Sequence, residues 1–260
     1  MNNSAIDWRR VEKALHQEGL KKNLVTADIR RTFSQTRELV GICGDFSWSR
    51  KMALNIGRVL LSGGNIVLVP VCLNYADLAN FKRTLPVFIR EHIVFLKRAR
   101  EINPKLEPKF LIPDQEAKNE DLLRLCGVSE EELARVLSEA GLIVAAAAKK
   151  EGWGSVLMSS VIDNLEARET EAFNLIKDDQ ELLPKVQSHA LLRREMYRKG
   201  SGSMSFEDMQ LRTAQTAAQY LVLGKFVADS DMFIVNHTTT SLQWYKETSA
   251  GVLHNPAPLL

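Results

Sequence analysis

Two short apolar runs restrict what this chain can become. Residues 38–43 read ELVGIC and residues 65–71 read NIVLVPV. Neither alternates apolar with polar, so each reads as a strand covered on both faces. Between them SRKMALNIGRVLLSGG has helical spacing, Ser47 or Ser49 as N-cap, and a stop at Gly63–Gly64. Strand, helix and strand in that order form a βαβ unit, which implies a parallel sheet with a right-handed crossover. KFLIPD (109–114) and DMFIVNH (231–237) are further strand candidates. The expected class is α/β, a parallel sheet with helices on both faces and a helix-rich second half.

The helices follow from periodicity. Residues 85, 88, 89, 92, 95, 96 and 99 fall on one stripe, which predicts an amphipathic helix over 84–101 with Pro86 in its first turn. Further helices are expected over 129–140, 152–178, 184–199 and 205–227. The stretch 141–148 reads as a strand or a helix start, and periodicity does not separate the two. GSGSMSF, around residue 202, reads as a turn before a helix capped by Ser203 or Ser205. No repeat or linker-like tract interrupts the pattern. The expectation is one domain: a helical lead-in over 1–36, an α/β body over 37–250 and a tail over 251–260.

Composition excludes several classes. Thirty-four basic against thirty-two acidic residues leave a formal charge of +2, so nucleic-acid affinity has to come from a local cluster. Cys43, Cys72 and Cys126 are odd in number with no CxxC pair, which fits a reducing compartment and neither a disulfide framework nor a zinc ribbon. Cys72 and Cys126 read as structural. MNNSAIDWRR has no apolar core of the secretory kind, and LIVAAAA (142–148) is too short to span a bilayer. A cytoplasmic protein with no membrane or DNA partner is expected. GxSxG, Walker A, HExxH and strand-borne GxGxxG patterns, which would name other chemistries, are missing.

In open parallel sheets ligands bind beyond the carboxyl ends of the strands. Two reactive residues read onto such ends: Cys43 after ELVGI and His237 after FIVN. Cys43 would also precede a helix N-terminus, whose dipole lowers a thiol pKa. Gly41 and Gly44 would permit close approach of substrate, and backbone N–H groups of the 44–47 turn would form an oxyanion hole. The blander reading makes Cys43 a small buried hydrophobe and His237 a surface residue at a strand end.

A second constellation is basic. Lys82, Arg83, Arg90, Lys97, Arg98 and Arg100 face a single acid, Glu91, between positions 82 and 100. Arg83, Arg90 and Lys97 are spaced by seven, so on a helix they form one row, suited to a phosphate backbone. A solvated helix face usually mixes signs, and this one does not. Arg193, Arg194, Arg198 and Lys199 form a smaller basic group at the end of another helix.

This layout resembles that of tRNA-dependent cyclodipeptide synthases, a Rossmann-like family related to the catalytic domains of class I aminoacyl-tRNA synthetases. The family opens on an apolar strand ending in Gly-aliphatic-Ser, where this chain has LVGIC. A basic helix follows, here FKRTLPVFIREHIVFLKRAR. Next come a Tyr-x-x-x-Glu helix, a bend and a strand, here QYLVLGKFVADSDMFIVNH. The likeness covers roughly residues 37–247 and is one of order and spacing more than identity. The serine nucleophile falls on Cys43, which still accepts an acyl group. The family's glutamate falls on Gly224, and its asparagine three residues after the nucleophile falls on Phe46.

The resemblance implies an aminoacyltransferase that takes aminoacyl-tRNAs as substrates and releases a diketopiperazine, with no metal and no cofactor because the energy is already in the tRNA ester. The basic helix would hold the acceptor stem, and Cys43 would carry the acyl group. Tyr220, with His237 as base, would assist ring closure. Leu39, Gly41 and Val67 match positions lining the first aminoacyl pocket. Gly44, Asp45, Phe46, Gly224 and Asn236 join them as substrate-site residues, and Asp45 or Asp229 would face a cationic side chain. Two other readings stay open: a tRNA-binding module without catalysis, and a Cys–His transferase or hydrolase acting on a small ester.

Overall fold

The computed structural model describes residues 6–44, 49–71, 73, 75–114, 123, 127–197, 205–237 and 239–255. Its elements run α1 (Trp8–Lys21), α2 (Thr26–Ile42), α3 (Arg50–Leu61), β1 (Ile66–Pro70), α4 (Phe81–Ile102) and β2 (Glu107–Ile112). They continue as α5 (Glu130–Lys150), β3 (Gly154–Leu157), α6 (Met158–Val161), α7 (Leu165–Asp178), α8 (Leu182–Tyr197) and α9 (Phe206–Asp229). β4 (Phe233–Asn236), α10 (Thr239–Tyr245) and β5 (Gly251–His254) complete the order. The strands form one parallel sheet in the order β3-β2-β1-β4-β5, flanked by helices. The α/β expectation holds.

The chain groups into two compact units. Unit 1 takes Met1–Val69, Arg90–Lys109 and Gly224–Leu259; unit 2 takes Pro70–Ile89, Phe110–Leu223 and Leu260.

In unit 1 the first expected strand is instead the end of a helix. Buried Ile29, Thr32, Thr36, Leu39 and Val40 repeat at three- and four-residue spacing along α2, so the helical lead-in runs on through ELVGI. It stops at Cys43, its C-cap, and Gly44 follows at φ 74°, the left-handed conformation that ends many helices and that glycine adopts without strain. α3 begins as expected: the Ser49 hydroxyl accepts from the Met52 N–H at 3.3 Å. Arg58 of α3 pins Glu18 of α1 through a forked contact of 2.7–3.0 Å. β4 pairs with β1 (Val67 with Phe233) and with β5 in parallel register from Phe233–Gly251 to Asn236–His254. The tail expected from residue 251 therefore starts as a wholly buried strand. Leu15, Leu39, Ile56, Leu68, Phe233 and Trp244 fill the core of the unit.

In unit 2, α5 carries Glu130, Glu131 and Glu132 in its first turn and Lys149 and Lys150 in its last, the arrangement that complements the helix dipole. Ser129 caps it. The undecided stretch 141–148 is helix, continuous with α5. The helix expected over 152–178 is replaced at its start by β3, then α6, and only then α7. Ser205 caps α9, its hydroxyl accepting from the Asp208 N–H at 3.0 Å.

Candidate functional site

The expected catalytic edge belongs to unit 1. Register sets Asn236, the last residue of β4, beside His254, the last of β5, and their side chains meet at 3.3 Å between Nδ2 and Nδ1. The Asn255 N–H donates to the Asn236 carbonyl at 2.7 Å, which ties the two strand ends together. His237 follows β4, and the ring of His92, from the buried side of α4, meets its ring edge-on with centroids 5.4 Å apart. Cys43 joins from α2: its Sγ–H donates to the Leu39 carbonyl at 3.1 Å, and its sulfur accepts from the backbone N–H of His254.

Cys43, His237 and His254 are each shifted toward the uncharged form. Burial pushes the Cys43 thiol up to about 12, and the His254 N–H only partly opposes it. Burial, then the neighbouring His92 and His254, pushes His237 down to about 3. His254 is lowered by its own burial, against a backbone hydrogen bond to Asn236. Cys43 is 0% exposed, and it terminates a helix instead of preceding one, so the dipole argument for a thiolate reverses sign. Both of these sulfur contacts run to backbone, so neither makes a Cys–imidazole pair.

The substrate-site residues separate. Leu39 and Val67 are wholly buried core residues. Gly41 is exposed, with open space where a Cβ would stand, so the fold does not require glycine there. Gly224 is required: a Cβ would come within 2.8 Å of the Thr248 Oγ1 and 3.1 Å of the Tyr245 ring. A glutamate at position 224 has no room in this packing. Asp229, the last residue of α9, is exposed. Tyr220 is half-buried on α9 and falls in unit 2. Asp45, Phe46, Cys72, Cys126, Arg198 and Lys199 lie outside the described residues; Arg193 and Arg194 fall in α8.

The basic helix forms as the spacing predicts. The stripe at 85, 89, 92, 95, 96 and 99 is buried, and Lys82, Arg83, Arg90, Lys97 and Arg98 are exposed. α4 starts at Phe81, so Pro86 sits a turn deeper than expected. Lys82 pairs with Glu139 at 2.7 Å in unit 2 and Arg90 with Glu91 at 3.3 Å. Arg100 is half-buried, its Nη2 donating to the Pro104 carbonyl at 3.5 Å. Both ion pairs are largely solvent-exposed, which makes them cheap to exchange for phosphate.

Sequence reasoning missed His92 and His254. His92 occupies a position of the apolar stripe, and a polar residue on a buried face is the signal that would have found it. His254 lay in the presumed tail. No group of three or more His, Cys, Asp or Glu side chains among the described residues is arranged to hold a metal ion. No helix among them is long and apolar enough to cross a membrane. The sequence matches no protein-family model and no curated protein, so the likeness to cyclodipeptide synthases rests on the quoted motifs.

Proposed function

We propose that the protein is an aminoacyl-tRNA-dependent aminoacyltransferase of the cyclodipeptide synthase kind. In this reading α4 follows the phosphates of the acceptor stem, and the aminoacyl end meets the carboxyl edge of β4 and β5. The observation that carries the reading is the two-sidedness of α4: exposed Arg83, Arg90, Lys97 and Arg98 on one side, and buried His92 against His237 on the other. Cys43 takes the acyl group as a thioester. The C–S bond forms while the bond from the acyl carbon to the ribose oxygen breaks, and the thiol proton leaves with that oxygen. Because the sulfur is fully covered, acylation requires the end of α2 to lift from β5. The amine of a second aminoacyl-tRNA then attacks this thioester, its C–S bond breaks and the amine's proton returns to the sulfur; the dipeptidyl group passes from its ribose oxygen to Cys43, freeing the second tRNA, and attack by the dipeptide's own amine breaks that C–S bond, closes the ring and restores the thiol.

A second reading, tRNA binding without transfer, is favoured by two observations: the covered, protonated thiol of Cys43 and the lack of room for a carboxylate at Gly224. Intact-mass measurement after mixing with a pool of charged tRNAs, beside Cys43→Ala, separates the two. An aminoacyl mass on the wild type alone is the expected result. Salt-sensitive tRNA retention with no adduct would replace transfer by binding.

A further inference from the structure

The seam between α1 and α2, wholly within unit 1, ends in aromatic residues that the chemistry of the strand ends does not use. Trp8 stands three and seven residues before buried Val11 and Leu15, and Phe33 stands four after buried Ile29, so both continue apolar stripes. Neither is fully covered: each is half-buried where its stripe runs out toward solvent. Their rings meet nearly edge-on, with centroids 6.2 Å apart and planes at 70°. The guanidinium of exposed Arg37 lies over both, 5.7 Å from the Trp8 centroid and 5.9 Å from that of Phe33. Arg30, Phe33 and Arg37, spaced by three and four, share one face of α2. The charges around them are one-sided. Asp7 is held by Arg10, Asp28 by Arg31 and Glu18 by Arg58, and Glu38 accepts from the Ser34 hydroxyl. That leaves Glu12 against Arg9, Lys13, Arg30 and Arg37, four exposed cations that form no ion pair among the described residues.

We propose that this end of the α1–α2 seam is a stacking platform for a single-stranded stretch of RNA. Bases lie on Trp8, Phe33 and the plane of Arg37, and phosphates are met by Arg9, Lys13 and Arg30. An aromatic face takes any base, because every base has a π-face, and a guanidinium plane stacks on bases as it does on rings. Bases in a duplex are already stacked on one another, so such a platform selects unpaired ones. An acidic peptide would satisfy the four cations and leave both rings unused. The choice of RNA over DNA rests on the aminoacyl-tRNA reading; the stacking itself does not.

Fluorescence anisotropy on the full chain tests this with a short labelled oligoadenylate RNA, beside the same backbone without bases. Wild type is expected to bind the intact strand at least about tenfold more tightly than the abasic one. Arg37→Lys keeps the charge and loses the plane, so it should weaken binding at least about fivefold with the salt dependence unchanged. Arg30→Ala should instead flatten the log–log salt slope by about 0.7. Trp8→Ala should weaken binding about tenfold, and Trp8→Phe should restore most of it, which separates stacking from a folding defect. Equal affinity for the abasic strand or a neutral Arg37→Lys would overturn the proposal. So would a preference for the deoxy strand, or polyglutamate competing as well as the RNA, which would make this surface a site for acidic protein. Replacing Arg90, Lys97 and Arg98 by alanine should leave the preference for bases in place; its loss there would move the bases to α4 and overturn the platform. The aminoacyl adduct on Cys43 is read separately, so the two proposals fail independently.

Discussion

The carboxyl edge of β4 and β5 in unit 1 and the α7–α9 contact in unit 2 both gather ionisable groups, with different electrostatics. At the strand ends Cys43, His237 and His254 are held neutral by burial, and their hydrogen bonds run largely to backbone. On α7, burial raises the Glu169 carboxyl, a Gln219 hydrogen bond and the Arg212 charge oppose the rise, and the group keeps contact with solvent. Strand ends bring backbone donors and acceptors close together, which favours neutral partners. Helix faces offer only side chains, so a half-buried carboxyl there relies on a side-chain donor and a distant charge against its own desolvation. Acid should therefore damage the first cluster and base the second.

The largest expected effect concerns Cys43. With its thiol held near 12 instead of 9, its thiolate population falls roughly a thousandfold. Alkylation read by peptide mapping at Cys43 should be slower in the folded protein by at least that order, and labelling at an ordinary thiol rate would break the contrast. Next is acid stability. His237 titrates at about 3 when folded and near 6.5 when unfolded, so the unfolded chain takes up a proton that the native state refuses. Stability should decline as pH falls from 6.5 toward 3, by on the order of 3 kcal/mol, and denaturant melts of His237→Phe should lack that slope.

Gly224→Ala should cost about 1–3 kcal/mol, because the new methyl meets Thr248 and Tyr245; a neutral substitution in a thermal melt would show that this packing gives way. Glu169 carries the opposite sign. Its folded value is raised, so its contribution is present below about 4.5 and is lost as pH rises through 7. Solvent contact reduces the amount to about 1–2 kcal/mol. Comparing wild type with Glu169→Gln between pH 5 and 8 reads it. The smallest effect per residue lies on α4. Replacing Arg90, Lys97 and Arg98 by alanine should flatten the salt dependence of tRNA binding by about two in log–log slope, with little change in melting temperature.

Legibility in the sequence followed local signal strength. NIVLVPV, KFLIPD and DMFIVNH hold strands because apolar residues run together in them without alternation, and no helical stripe passes through them. ELVGIC has the same composition and a different context. Leu39 and Val40 continue the stripe of Ile29, Thr32 and Thr36, and tertiary burial of that stripe wins. Gly44, directly after Cys43, is the stop signal that marks the helix end. GVLH is only four residues long, too short for alternation to be read, and it becomes a strand only with β4 as its partner. Of the candidate site, the cations of α4 were readable as a row. Glu169, outside that site, was not, because its environment depends on Arg212 and Gln219 from another helix. Leu39 and Val67, matched to a pocket, are fully buried.

Cys43 leans on the backbone of His254, and α3 packs along β5. During synthesis α1, α2 and α3 leave the ribosome ahead of the other described elements, and β5, which packs on α3 and on the end of α2, leaves after every other one. The three helices can form early from local contacts, but their sheet-facing side stays wet until residues 251–254 arrive. Chaperone binding to nascent chains should therefore concentrate on α2 and α3 and end when β5 emerges, and a ribosome stalled before β5 should expose Cys43 to the same alkylating reagents that the finished protein resists.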